Sequence, residues 1–158
     1  MQDGGVTIAE SGAIVQYILA RYGHGRLAPP PEHPQFAEYL YWFHFANGNL
    51  QPHLGRNMVL GRIDAAREHP VTLAARERVE RALAMLDQRL AEVPWLAGDS
   101  FTAADIMNVF SVTTMRYFQP WDISGRAHIL AWLQRVSQRP AYVAAMAKGD
   151  PGMELLLT

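Results

Sequence analysis

Trp95-Leu96-Ala97-Gly98-Asp99-Ser100-Phe101-Thr102-Ala103-Ala104-Asp105-Ile106 is the stretch on which the fold turns. Thr102 stands three residues before Asp105. At that spacing a hydroxyl can accept a first-turn backbone N–H of a helix while the carboxylate returns to the N–H of the capping residue. Phe101 and Ile106 bracket the pair at the spacing of a hydrophobic staple. The pattern predicts a helix from Ala103, with Thr102 and Asp105 as a structural capping box rather than an acid catalyst. That helix is expected to reach about Phe118, because Gln119 precedes Pro120 and a residue before proline is pushed out of helical geometry.

Working outward, every periodic segment on either side has helical spacing. Downstream, Ile129, Trp132, Leu133 and Val136 mark one helix, and Pro140 suits the first position of another that Gly149 closes. Upstream, Val79, Leu83, Leu86 and Leu90 form the inward face of a helix over roughly 71–92, with its Arg and Glu residues turned to solvent. Before it, a helix is expected over 35–62. Phe36, Leu40, Phe43, Leu50 and Leu54 lie on one stripe of it, with Tyr39, Trp42, Ala46, Asn49 and His53 alongside. Pro52 falls inside this helix, where its ring meets the carbonyl four residues back, so a kink is expected between Gly48 and Pro52.

Ahead of these helices the pattern changes. Four prolines in Leu27-Ala28-Pro29-Pro30-Pro31-Glu32-His33-Pro34 predict an extended linker. Ile14, Val15, Ile18, Leu19 and Tyr22 predict a helix, with Ser11 as its N-cap and Gly23 as a left-handed stop. Asp3-Gly4-Gly5 suits a hairpin turn and Val6-Thr7-Ile8 a short strand. One short strand leaves its backbone groups unpaired, so the remainder of a sheet is expected outside these residues. The expected organisation is therefore a strand-helix unit over 1–27, a proline-rich linker over 28–34, and an all-helical domain over 35–158.

Composition narrows the function. The chain has 158 residues, 49% hydrophobic and 18% charged, with a formal net charge of −1. This balance supports a globular core and argues against disorder or a nucleic-acid-binding surface. With no cysteine, disulfides, thiolate metal sites and a cysteine nucleophile are excluded within these residues. No basic leader followed by an apolar run opens the chain, and no apolar run approaches the ~18 residues of a membrane span, so neither secretion nor a membrane partner is expected. His44 and His53 lack the i, i+4 spacing of a helical metal pair, and no metal site is expected. Repeats and sustained heptads are absent.

Three features in this order resemble the glutathione S-transferase family. They are Ile8-Ala9-Glu10-Ser11-Gly12-Ala13-Ile14, the proline-rich linker, and the capping-box stretch Leu96 to Asp105. Trp132-Leu133-Gln134-Arg135-Val136 and Arg139-Pro140-Ala141-Tyr142 are similar to the late helices of bacterial members. The resemblance implies an all-α fold, the family's C-terminal helical bundle, preceded by a strand-helix remnant of its thioredoxin-like domain. It further implies that Glu10 and Ser11 hold the γ-glutamyl end of glutathione. A carboxylate there suits the ammonium, and a hydroxyl with free helix N–H groups suits the carboxylate.

The family's thiol-activating tyrosine, serine or cysteine and its cis-proline would precede Met1, so no catalytic residue is assigned here. Glutathione is expected as co-substrate rather than cofactor, with a hydrophobic electrophile as second substrate, a homodimer as the assembly and the cytoplasm as the location. The chain alone is expected to be inactive. Placement offers Asn49, His53, Asn57, Met115 and Phe118 as contacts for the electrophile. Two alternatives remain at this stage: a non-catalytic interaction module of the same family, and a truncated gene product.

Overall fold

A computed structural model describes residues 1–63 and 67–158. Residues 64–66, inside the helical region expected over 35–158, lie outside the described residues. The chain opens with a hairpin of β1 (Gln2–Asp3) and β2 (Val6–Thr7). Asp3 pairs with Val6 and Gln2 with Thr7, antiparallel, around a two-residue Gly4-Gly5 turn that uses a positive φ of 57° at Gly4. The expected strand thus finds its partner in Gln2 and Asp3.

Helices follow. They are α1 (Ser11–Tyr22), α2 (Phe36–Phe45), a π-helical segment (Ala46–Leu50), α3 (Gln51–Gly61), α4 (Pro70–Glu92), α5 (Ala103–Val112), a 3-10 turn (Thr114–Tyr117), α6 (Ala127–Ser137) and α7 (Pro140–Gly149). The fold is all-α, with a strand-helix unit at its N-terminal end. Among the described residues no helix is long and apolar enough to cross a membrane.

The core is built by the residues whose spacing predicted it. Val79, Leu83, Leu86 and Leu90 of α4 and Ile129, Trp132, Leu133 and Val136 of α6 are all buried. Helices α4 and α6 pack on each other, and α5, short but enclosed, packs on α2 and the π-helical segment with Ala103, Ala104, Met107 and Val112 buried. An Asp87 carboxylate oxygen on α4 accepts the N–H groups of His128 and Ile129 at 3.0 Å each, so the first turn of α6 is capped from a neighbouring helix.

Asp105 sits at the centre of this arrangement with no solvent exposure. Its Oδ2 accepts the N–H of Thr102 at 2.9 Å, and the Thr102 hydroxyl accepts the N–H of Ala104 at 3.3 Å, completing the capping box. Its Oδ1 accepts the N–H of Leu96 at 3.0 Å and the indole N–H of Trp132 at 2.9 Å. Burial pushes this carboxyl above the usual carboxylate range, while the four donors around it pull the other way. Just before it, Gly98 stands at a φ of 141°, and a Cβ there would lie 2.1 Å from the Gln35 amide nitrogen. The turn from Trp95 to Gly98 therefore depends on glycine.

Four local expectations are corrected. Phe101 packs edge-on to Trp95, with the Arg139 guanidinium 3.7 Å over its ring, while the intended staple partner Ile106 is exposed. The helix from Ala103 ends at Val112 rather than near Phe118. The Thr113 backbone leaves helical geometry at φ −124° and ψ −98°, its hydroxyl donating to the Val109 carbonyl at 2.7 Å and its N–H reaching the Phe110 carbonyl at 3.4 Å. Gly23 is right-handed, at φ −75°, and glycine is required there because a Cβ would stand 2.3 Å from the Leu19 carbonyl oxygen. The chain reverses instead through His24, Gly25 and Leu27, all at positive φ. Leu40, assigned to the inner stripe, is exposed, and Phe45 is buried in its place.

The kink expected between Gly48 and Pro52 takes a specific form. Gln51 N–H bonds back to the Ala46 carbonyl, five residues earlier, so one extra residue is accommodated in the turn before Pro52. Beyond the bulge, α3 packs against α4. His53 faces this side, half-buried, with its Nδ1 buried and without a partner. Burial, and then the positive charges of Arg56, Arg78 and Arg81, hold its pKa below the usual 6.5.

Two outcomes follow from these features. Replacing Asp105 by Ala strands three buried N–H donors at about 1–3 kcal/mol each, so D105A should lose at least ~3 kcal/mol of stability. D105N retains one acceptor oxygen and should lose less; urea unfolding followed by circular dichroism measures both. His53 is harder to protonate folded than unfolded. As pH falls below about 6.5 the unfolded chain binds the proton first, and stability declines through that window. Thermal melts from pH 7.5 to 5 should show a shallower decline for H53Q than for the parent chain.

Candidate functional site

The N-terminal end of α1 is the place where sequence, backbone and neighbouring side chains converge. The hairpin lies along α1, fastened by Asp3, whose carboxylate accepts the hydroxyls of Tyr22 and of Tyr17, the latter at 3.0 Å. These two hydrogen bonds, Tyr22 first, hold the Asp3 carboxyl below its usual range. Arg21 stacks over both tyrosine rings at 5.6 and 5.9 Å. From this clamp the chain returns through β2 and must reverse abruptly to enter α1.

The reversal falls on Glu10. Its φ of 69° and ψ of 119° lie in a region that side-chain-bearing residues rarely occupy. Ser11, expected as the N-cap, is instead the first helical residue, and Glu10 holds the cap position without a side-chain hydrogen bond. The reason is geometric. A cap must have extended backbone so that its side chain can curl onto the first turn, and Ser11 is already helical. No hydrogen bond from the described residues meets the N–H groups of Ser11, Gly12 and Ala13. Glu10 and Ser11 are both exposed, so these donors, one hydroxyl and one carboxylate face outward together.

The floor of the site comes from the π-helical segment. Asn47 Nδ2 donates to Ser11 Oγ at 3.0 Å. A Cβ on Gly12 would meet Asn47 at 3.6 Å, Phe43 at 3.7 Å and Met107 at 4.0 Å, so the first turn of α1 rests on α2, the π segment and α5 at once. Asn108, fully buried on α5, donates to the carbonyls of Trp42 at 2.7 Å and Ala104 at 2.8 Å. It ties α2 to α5 just before the bulge. Sequence reading missed both Asn47 and Asn108. The signal for Asn47 was present in the glycine-proline interruption beside it, but the way the bulge turns its residues cannot be read from that.

The five residues offered for the electrophile separate. Asn49 is exposed on the π-helical segment, lining an open cavity of about 440 Å³ with Leu40, Tyr41 and His44 of α2. His53 turns toward α4, and Asn57 is buried, its Oδ1 without a partner. Met115 packs on the core from the 3-10 turn, and Phe118 is 63% exposed. Asn49, His53 and Asn57 are spaced for one face of a continuous α-helix, but each residue turns that helix by about 100° and the bulge inserts one, so Asn49 is turned off the face that His53 and Asn57 share on α3. Among the described residues no group of three or more His, Cys, Asp or Glu side chains is placed to hold a metal ion.

The family model for the glutathione S-transferase C-terminal domain matches residues 33–140. Glutathione S-transferase GstB of Escherichia coli K12 is 33% identical over 141 residues, covering 84% of this chain and 64% of that protein. The structure of a glutathione S-transferase from Actinobacillus pleuropneumoniae superposes with a TM-score of 0.84 at 22% identity, covering 97% of this chain and 69% of that one. A sphingomonad glutathione S-transferase complexed with glutathione gives a TM-score of 0.76 at 27% identity, covering 94% of this chain and 72% of its own. The chain thus spans about two thirds of the length of the relatives it matches. With the family model covering most of the helical region and the same fold in its structural neighbours, the chain belongs to the glutathione S-transferase family.

Proposed function

We propose that this chain is the helical part of a glutathione transferase, with Glu10 and Ser11 binding the γ-glutamyl end of glutathione for conjugation of its thiol to a hydrophobic electrophile. The observation that carries this reading is the end of α1. Unpaired N–H groups, the Ser11 hydroxyl and the Glu10 carboxylate stand side by side, complementary to a group bearing one carboxylate and one ammonium. The strain at Glu10 supports it, since rarely occupied backbone conformations concentrate where a side chain must be aimed.

Conjugation needs a thiolate, formed when a donor lowers the pKa of the glutathione thiol. Among the described residues, the tyrosines nearest the Glu10–Ser11 end are engaged elsewhere. Tyr17 and Tyr22 give their hydroxyls to Asp3, and burial together with that bond raises the Tyr17 pKa, the bond first and then burial that of Tyr22. On this reading the chain binds glutathione but does not accelerate conjugation by itself. A homodimer through the exposed Leu40 and Tyr41 face of α2 accompanies it. A cytoplasmic setting does too, because glutathione is kept as a free thiol there.

Titration calorimetry of the purified chain with glutathione tests the assignment, alongside the double variant E10A/S11A. Measurable binding by the parent chain, abolished in the variant, is the expected result. A parent chain that binds no glutathione, or a variant that binds it equally well, would remove the γ-glutamyl assignment.

A further inference from the structure

We infer that Asn47 is a positioning residue for the γ-glutamyl site: by occupying the acceptor side of the Ser11 hydroxyl, it leaves the hydroxyl proton to be donated to the ligand's α-carboxylate. The inference rests on the reading of Glu10 and Ser11 given above and adds the element that directs them. A serine hydroxyl carries one proton and two lone pairs, and the proton rotates toward whichever acceptor is nearest. At an exposed helix start, water would compete for it. A donor held 3.0 Å from Ser11 Oγ keeps the hydroxyl proton from pointing toward Asn47, because two donors cannot face each other, and leaves it for an acceptor on the outer side.

Asn47 can play this part because of how it is carried. It sits second in the π-helical segment Ala46–Leu50, where the added residue changes the direction in which side chains leave the helix. The segment is held from behind. Ala46 and Leu50 are fully buried, and the Asn108 amide grips the Trp42 carbonyl at 2.7 Å. On the opposite side the first turn of α1 lies against Asn47, Phe43 and Met107, where even a Cβ at Gly12 would make only ordinary contact. Asn47 is thus half-buried, its Oδ1 enclosed without a partner and its Nδ2 on Ser11, while Ser11 remains open to solvent.

N47D tests the inference, since it keeps the size of the side chain and replaces its donor with an acceptor. The aspartate would draw the Ser11 proton toward itself and place a like charge beside the ligand carboxylate. Two probes are titrated calorimetrically: glutathione, and 4-aminobutanoyl-cysteinylglycine, which differs only in lacking the α-carboxylate. The expected result is a loss of about tenfold or more in glutathione affinity for N47D, an unchanged affinity for the truncated probe, and a circular dichroism melt near that of the parent. Equal glutathione affinity in N47D and the parent, with S11A weakened, would overturn the role of Asn47 and leave the site assignment standing. Equal losses for both probes would overturn it as well, since the effect would not act through the carboxylate. Undiminished binding by both E10A and S11A would instead sink the site assignment and this inference with it.

Discussion

A single carboxylate enclosed by the protein holds this fold together. Asp105 has no contact with water, yet it ties the loop at Leu96, the start of α5 at Thr102 and the indole of Trp132 on α6. Taking a carboxylate out of water is unfavourable unless donors replace the lost hydration, and here four do so from three parts of the chain. Each donor is also a buried group that needs an acceptor. The requirement runs in both directions, and α5, the loop and α6 can satisfy it only in one mutual arrangement. Nearby carbonyls are met similarly from the outside, with Arg89 donating to Leu96 and Arg135 to Pro94.

Much of this frame is legible in sequence because its signals are local. The capping box needs only residues three apart, and the apolar stripes of α4 and α6 repeat without interruption, so their inward faces emerge as expected. Legibility fails where a side chain competes with the backbone or where partners are distant. At Thr113 the backbone leaves the helix while the side chain bonds back to the Val109 carbonyl. Asp87 caps α6 from a helix some forty residues earlier, a relation that no window of sequence displays. The indole of Trp132 looks like one more apolar position until its N–H is found on Asp105.

The site divides along the same line. Glu10 and Ser11 were visible as a pair, but their division of labour was not. A serine before an amphipathic run suggests a cap, whereas the hairpin forces the reversal onto Glu10 and leaves Ser11 helical. Pro52 announced an irregularity in the long helix without disclosing its form. A simple bend would have left Asn49, His53 and Asn57 in one row. An inserted residue turns Asn49 out of line with His53 and Asn57, which stay one turn apart on α3, and Asn47 of the same bulge meets Ser11. The exposure of Leu40 and the burial of Phe45 mark the same part of the chain.

The unit that carries the site is also the one least attached to the core. No side chain of α1 is fully buried; Val15 and Leu19 are half-buried against the core, and a hydrogen bond from Ala103 N–H to the Leu27 carbonyl, at 2.8 Å, joins the end of this unit to α5. Segments with so little burial open at free energies well below that of global unfolding. Lifting α1 away dismantles the pairing of Ser11 with Asn47 while Asp105 and its partners stay closed. Any ligand that requires the docked arrangement therefore shifts this local equilibrium by mass action, and its apparent affinity is reduced by whatever fraction of the chain is undocked.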